Sequence, residues 1–302
     1  GDADADVGSD VALGTATTIS AGTYTGDLTL VLGGADQTVT TGTGDDTFTV
    51  GGNLTSNDSI TAGAGSDSLT ATLTAVTAAP TLSGIETLTL DFSAAGNVFS
   101  GANTTGATQL DMQGSVANTV TNLSDSVTNI QLNEGTDNET VTITYATGSD
   151  GGFTMNLQSD GTGTNNSYNT ITVSGNTGNM TVTNDDAYTL DGGFVNATTT
   201  GAVTFTTGAN IVDGGSTGID AVNATSLAIT TAGGNLDFSA AQTSLFTDAT
   251  SFNLQALNGD ILMDHGSGVL QSDADVTVTM NANGSGNLID VTTLNVDHVT
   301  TL

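Results

Sequence analysis

Thr41-Gly-Thr-Gly-Asp-Asp-Thr-Phe-Thr49 and Ala62-Gly-Ala-Gly-Ser-Asp-Ser-Leu-Thr70 are two copies of one short design. In each, two glycines and an aspartate make a tight turn, and the residues that follow make a strand with one apolar side chain pointing inward. Gly42, Gly44, Gly63 and Gly65 can take backbone angles that a Cβ forbids, which turns carbonyl oxygens to one side around Thr43. Asp46 and Asp67 then stand where a carboxylate closes a cage of oxygens around a hard cation. Phe48 and Leu69 fill the inside of each turn. A chain built this way folds by stacking one turn on the next.

Charge narrows the partners. The 302 residues include 32 Asp and Glu and no Lys or Arg, a formal net charge of −32. Except through His265 and His298, no carboxylate can meet a cationic side chain, so clustered carboxylates must be hydrated, protonated or neutralised by metal. Nucleic acid and anionic membrane surfaces, which are bound through Lys and Arg, are excluded as partners. No run of about 18 apolar residues exists, so no helical membrane insertion is expected. The absence of cysteine removes disulfides and thiolate metal sites, leaving bound calcium as the staple open to an extracellular chain. The N-terminal Gly-Asp-Ala-Asp lacks the pattern of a signal peptide, whereas the uncharged end Val299-Thr-Thr-Leu302 is compatible with a C-terminal export signal.

Thr and Val suit a pleated surface while Gly and Asn punctuate turns, so the bulk of the chain reads as β. Alternation marks strands at Leu28–Leu32, Thr140–Tyr145, Thr170–Val173, Val203–Thr206 and Val276–Met280. Val39, Phe48, Ile60 and Leu69 are expected to point inward. A second pattern, an apolar residue, two polar ones, then apolar-x-apolar, begins at Ile85, Val127, Ala224, Ala249 and Val291, as stacked coils contributing one strand each to a common face would produce. Short helical pieces are expected near Thr72–Ala79 and Ser239–Phe246. The expected fold is all-β: an elongated β-solenoid or β-roll, with a β-sandwich-like portion left open. Its organisation is a segment 1–80 carrying the turns and an irregular solenoid 81–302, with one continuous domain as the alternative and Pro80 at the break.

The glycine-aspartate turns resemble those of the repeats-in-toxin family and of the bacterial surface-layer proteins that share type I secretion. The strand Gly84-Ile-Glu-Thr-Leu-Thr-Leu90 resembles a segment that follows such turns in surface-layer proteins and large adhesins. The resemblance implies calcium held by the sixth-position aspartates, Asp46 and Asp67, and by carbonyls of the preceding turns.

Further carboxylates repeat the logic at Asp213 and Asp220, within Asp213-Gly-Gly-Ser-Thr-Gly-Ile-Asp220, and singly at Asp36 and Asp58. The adjacent pair Asp185-Asp186 repels unless neutralised, although neighbours on a strand face opposite ways. Catalysis finds no support: each histidine follows an aspartate, but no nucleophile elbow accompanies either. Two functional classes follow. The first is a non-enzymatic structural subunit, secreted to the bacterial surface, folded by calcium and assembling with copies of itself into a lattice or filament; cell-surface polysaccharide is a candidate second partner. The second is an extracellular adhesin whose threonine faces contact carbohydrate or ice, which requires in-register Thr-x-Thr ladders. In the sequence the threonine runs look scattered over dissimilar turns.

Overall fold

Inward strand positions found by alternation, among them Leu30, Ile171, Val203, Phe205, Val276 and Val278, become rungs in a parallel stack. The structure, a computed structural model, describes residues 5–7, 13, 15–74, 77–114, 116–133, 139–158, 166–184, 188–190, 194–195, 198–208, 211–213, 219–237, 244–245, 249–263, 270–284, 287–291 and 295–301. The chain is a parallel β-solenoid. It divides into two compact units, Gly1–Gln131 with Thr144–Ala146, and Leu132–Ile143 with Thr147–Leu302.

In the first unit a long sheet runs through Ala5–Val7, Leu28–Val31, Thr47–Gly51, Ser68–Leu73, Thr87–Phe92 and Gln109–Gln113. A short sheet runs through Thr18–Ser20, Thr38–Thr40, Ser59–Thr61, Thr81–Ser83 and Thr104–Thr105. A third column, Thr77–Ala78, Val98–Ser100 and Asn118–Leu123, joins where the coils lengthen. One coil takes 18, 21, 19 or 22 residues, as the contacts from Asp45 to Asp27, Asp46 to Asp67, Asp67 to Glu86 and Thr108 to Glu86 show. The uneven spacing of the inward residues follows from this geometry. Val39 stacks on Ile60 and Phe48 on Leu69, because each coil carries two different inward strands joined by corners of unequal length.

The core is a single layer of such columns. Phe48, Leu69 and Leu88 are consecutive rungs, each 0 % exposed. Burying a side chain of this size removes it from water at a gain of about 1.5–3 kcal/mol. The expected helix over Thr72–Ala79 is not formed. Leu73 ends a strand and pairs with Phe92, both buried, and Thr77–Ala78 is itself a strand paired with Val98–Phe99; pairing with the next coil outweighs a weak local alanine preference. Of the second expected helix, Ser244–Leu245 is a strand and the rest lies outside the described residues.

The second unit repeats the plan with longer coils, 22 to 28 residues between stacked partners. Its long sheet runs through Phe153–Leu157, Met180–Asn184, Ala202–Thr207, Ser226–Thr231, Ser251–Ala256 and Leu270–Ala282. Phe194 packs edge-on against Phe205 with ring centroids 5.5 Å apart. The recurrent apolar pattern now has a structural meaning. Its first residue turns a corner into the core and the apolar-x-apolar pair that follows is a rung: Ile85, Val127, Ala224 and Ala249 are all buried, as are Leu88, Ile130, Leu227 and Phe252.

Where coils turn, glycines stack on glycines. Gly63 has φ +97° and a Cβ there would strike the carbonyl oxygen of Gly42; Gly65 meets Gly44 in the same way. Gly63→Ala therefore combines a left-handed backbone with a backbone clash. It should lower the thermal midpoint by well over the effect of Gly96→Ala, a residue with φ +90° and nothing within 4 Å, whose cost is about 1–2 kcal/mol of backbone strain. Circular-dichroism melts of the two variants check this; equal losses would contradict the stacking.

Candidate metal and carboxylate site

The two glycine-aspartate turns lie one directly above the other, because their strands pair in register as Thr47 with Ser68 and Phe48 with Leu69. At this corner side-chain acceptors join the coil-to-coil hydrogen bonds of the backbone, which continue from the Ser68 N–H to Asp46 O and from the Glu86 N–H to Asp67 O. Asp46 Oδ1 accepts from the Leu28 N–H at 2.9 Å, and Asp67 Oδ1 accepts from the Asp46 N–H at 2.6 Å. Glu86 Oε2 accepts from the Asp67 N–H at 2.7 Å. A parallel ladder runs the other way on the outside. There Asp27 Oδ1 accepts from the Asp45 N–H and Asp45 Oδ1 from the Ser66 N–H.

Five carboxylates thus gather at one corner of consecutive coils. Asp46 and Asp67 are each 1 % exposed, and the Oδ2 atom of each is buried without a hydrogen-bond partner. Leaving a carboxylate oxygen in that state is costly. The Asp67 carboxyl is pushed up to about 6, first by burial and then by the neighbouring Asp46, Glu86 and Asp45 carboxylates, against the opposing Asp46 N–H bond. Gly42 O is engaged by the Ala64 N–H at 3.0 Å, and the Thr43 N–H is bonded to Tyr24 O. Thr43 itself is exposed, and Gly44 O points at Gly65 of the next coil.

Charge is not what the ladder needs. In the second unit the same acceptor role falls to Asn179, which takes the Ala202 N–H, and to Asn235, which takes the Asp260 N–H, with Asp260 taking the Leu288 N–H. An amide oxygen serves as well as a carboxylate, so the concentration of acid at the first unit's corner is in excess of hydrogen-bonding requirements.

The remaining expected ligands separate into different environments. Asp58 is saturated: Oδ1 accepts from the Gln37 N–H, and Oδ2 from the Thr55 N–H and hydroxyl. Asp36 is exposed and accepts from Asn57 Nδ2. Neither is brought to Asp46 and Asp67 by any hydrogen bond. Asp220 has a buried, unpartnered Oδ1 and a carboxyl raised by burial. Asp213 ends the strand Ile211–Asp213, with its side chain outside the described residues, as are Asp185, Asp186 and His265. Among the described residues no three His, Asp or Glu side chains converge as a metal cluster, so any cation here would draw on two carboxylates and other oxygens.

Gln37 belongs to no motif in the sequence. Buried at 2 % exposure, it donates through Nε2 to Leu13 O and Ala16 O and accepts from the Gly33 N–H, tying the first coil to the stack. A lone polar residue before the Thr38–Thr40 strand was its only signal. Family models, curated proteins and solved structures yield no match to this chain.

The raised Asp67 value has a definite sign. A carboxyl whose folded value lies above its ordinary 3.8 favours the folded chain when protonated. Its contribution is complete below about pH 4 and is lost as pH rises through about 6. In buffer free of divalent ions, urea unfolding should show stability falling between pH 4 and pH 7, with a shallower fall in Asp67→Asn. A wild-type profile that is flat or rising over this range would contradict the assignment.

Proposed function

We propose that this chain is a structural, extracellular subunit of the calcium-dependent kind, exported to a bacterial surface and assembling with copies of itself into a lattice or filament. One observation carries the reading: two stacked aspartates, Asp46 and Asp67, each with an unpartnered buried oxygen, in a chain that has no Lys or Arg to neutralise them. Oxygen donors of mixed charge are what a hard divalent cation takes, and calcium tolerates irregular sets of them. The ion would be held by Asp46 and Asp67, with the Gly42, Thr43, Gly44, Gly63 and Gly65 turns as the source of the surrounding oxygens.

Coupling to export follows from mass action. An ion that binds only the folded chain stabilises it in proportion to the logarithm of ion concentration, so scarce calcium inside a cell leaves the acidic corner repelling itself. Outside, the same corner closes and the coils stack upon it. No enzymatic role is proposed.

Asparagine separates this reading from a purely structural ladder, since Asp46→Asn and Asp67→Asn keep the Oδ1 acceptor and remove the charge. Wild type at pH 7 should gain at least several degrees in thermal midpoint on going from chelator to millimolar calcium, with magnesium less effective. The double asparagine variant should melt at one temperature in both. A wild-type midpoint indifferent to calcium, or an undiminished calcium response in the double variant, would sink the proposal.

A further inference from the structure

The outward face of the second unit's long sheet stands apart from the rest of so acidic a chain. Over Phe153–Leu157, Met180–Asn184, Ala202–Thr207, Ser226–Thr231, Ser251–Ala256 and Thr277–Ala282, each outward position is Thr, Ser, Asn, Gln or Ala. Not one is acidic; Asp275, two residues before Thr277, marks the rim. Register turns threonines that are far apart in sequence into columns: Thr154 on Thr181 on Thr204, and beside it Thr183 on Thr206 on Thr230. All of them are partly or fully exposed.

We propose that this carboxylate-free face is the contact by which one copy of the chain meets a second copy, sheet face against sheet face. The inference rests on the self-assembly reading above and names its surface. Two copies at −32 repel wherever carboxylates face each other, and this face is where they approach without that cost. Parallel in-register strands bearing Thr, Asn, Gln and Ser side chains interdigitate across paired sheets about 10 Å apart. A flat neutral glycan is the less suitable occupant, because no aromatic ring stands on the face to stack against a sugar. Six strands about 4.8 Å apart, with outward residues about 6.7 Å apart along each, give roughly 400 Å² per copy, about half of a standard interface. The pairing is therefore weak between two molecules and firm only in an array, where many such contacts act together.

Sedimentation equilibrium of the full chain in calcium, over micromolar to millimolar concentration, tests this. Wild type should pass from monomer to dimer, and raising sodium chloride to about 1 M should leave the dimer intact or strengthen it by screening the surrounding charge. Thr183→Asp and Thr206→Asp should remain monomeric at least tenfold beyond the wild-type midpoint, with Thr183→Asn and Thr206→Asn, which add no charge, still pairing. Circular dichroism identifies any variant that fails to fold, and Thr154→Asp at the end of a column then serves in its place. Wild type monomeric throughout, a dimer dispersed by salt, or aspartate variants that pair as wild type does would each overturn the proposal. So would a monomer retained on an insoluble neutral polysaccharide through Thr183 and Thr206. Calcium-induced stabilisation without pairing removes this interface and leaves the calcium reading standing; pairing in a chain that calcium does not stabilise does the reverse.

Discussion

Where the backbone ladder of a parallel solenoid is interrupted at a corner, something other than a strand must take the amide N–H groups of the neighbouring coil. In this chain side-chain oxygens do so. Asp46, Asp67 and Glu86 take them at one corner of the first unit, and Asn179, Asn235 and Asp260 take them in the second. The first unit depends on these links most, because its strands of two to six residues each make few ladder hydrogen bonds, whereas the second unit has strands of up to 13 residues. The first unit makes its links with carboxylates and supplies no cation. On the proposed calcium reading, its corner is the place where a cation from outside the polypeptide would add stability.

A thin core follows from the same plan. Each coil packs chiefly on the coils above and below, so rungs such as Phe48, Leu69 and Leu88 need to match their neighbours in adjacent coils and nothing more distant. Coil length can then drift from 18 to 28 residues, since insertions go to corners while rungs stay paired. The tolerance ends at the stacked glycines. There Gly42 and Gly63 bring backbone against backbone, and no side chain fits.

Much of this was legible in the sequence, because alternation reports which face of a strand is buried without reference to its partners. Val39, Phe48, Ile60 and Leu69 are inward, and the pattern beginning at Ile85 and Ala224 marks corner and rung. Register was not legible. Thr183 and Thr206 look unrelated until strands separated by irregular corners are paired, which is why threonines that read as scattered form columns. The helix expected over Thr72–Ala79 failed for the same reason: strand pairing is non-local and overrides a weak local preference. At the candidate site Asp46 and Asp67 were found by their turns. The saturation of Asp58 by Gln37 and Thr55, and the equivalence of Asn179 to an acid, depend on neighbours one coil away.

The central claim is that the acidic corner takes its positive charge from a bound ion, and the most direct measurement is anomalous X-ray scattering from crystals grown in calcium. A calcium peak within bonding distance, about 2.3–2.6 Å, of both Asp46 Oδ2 and Asp67 Oδ2 is the predicted result. Density in which those two oxygens meet only water or protein hydrogen-bond donors, with calcium present in the crystal and absent from the corner, would contradict it.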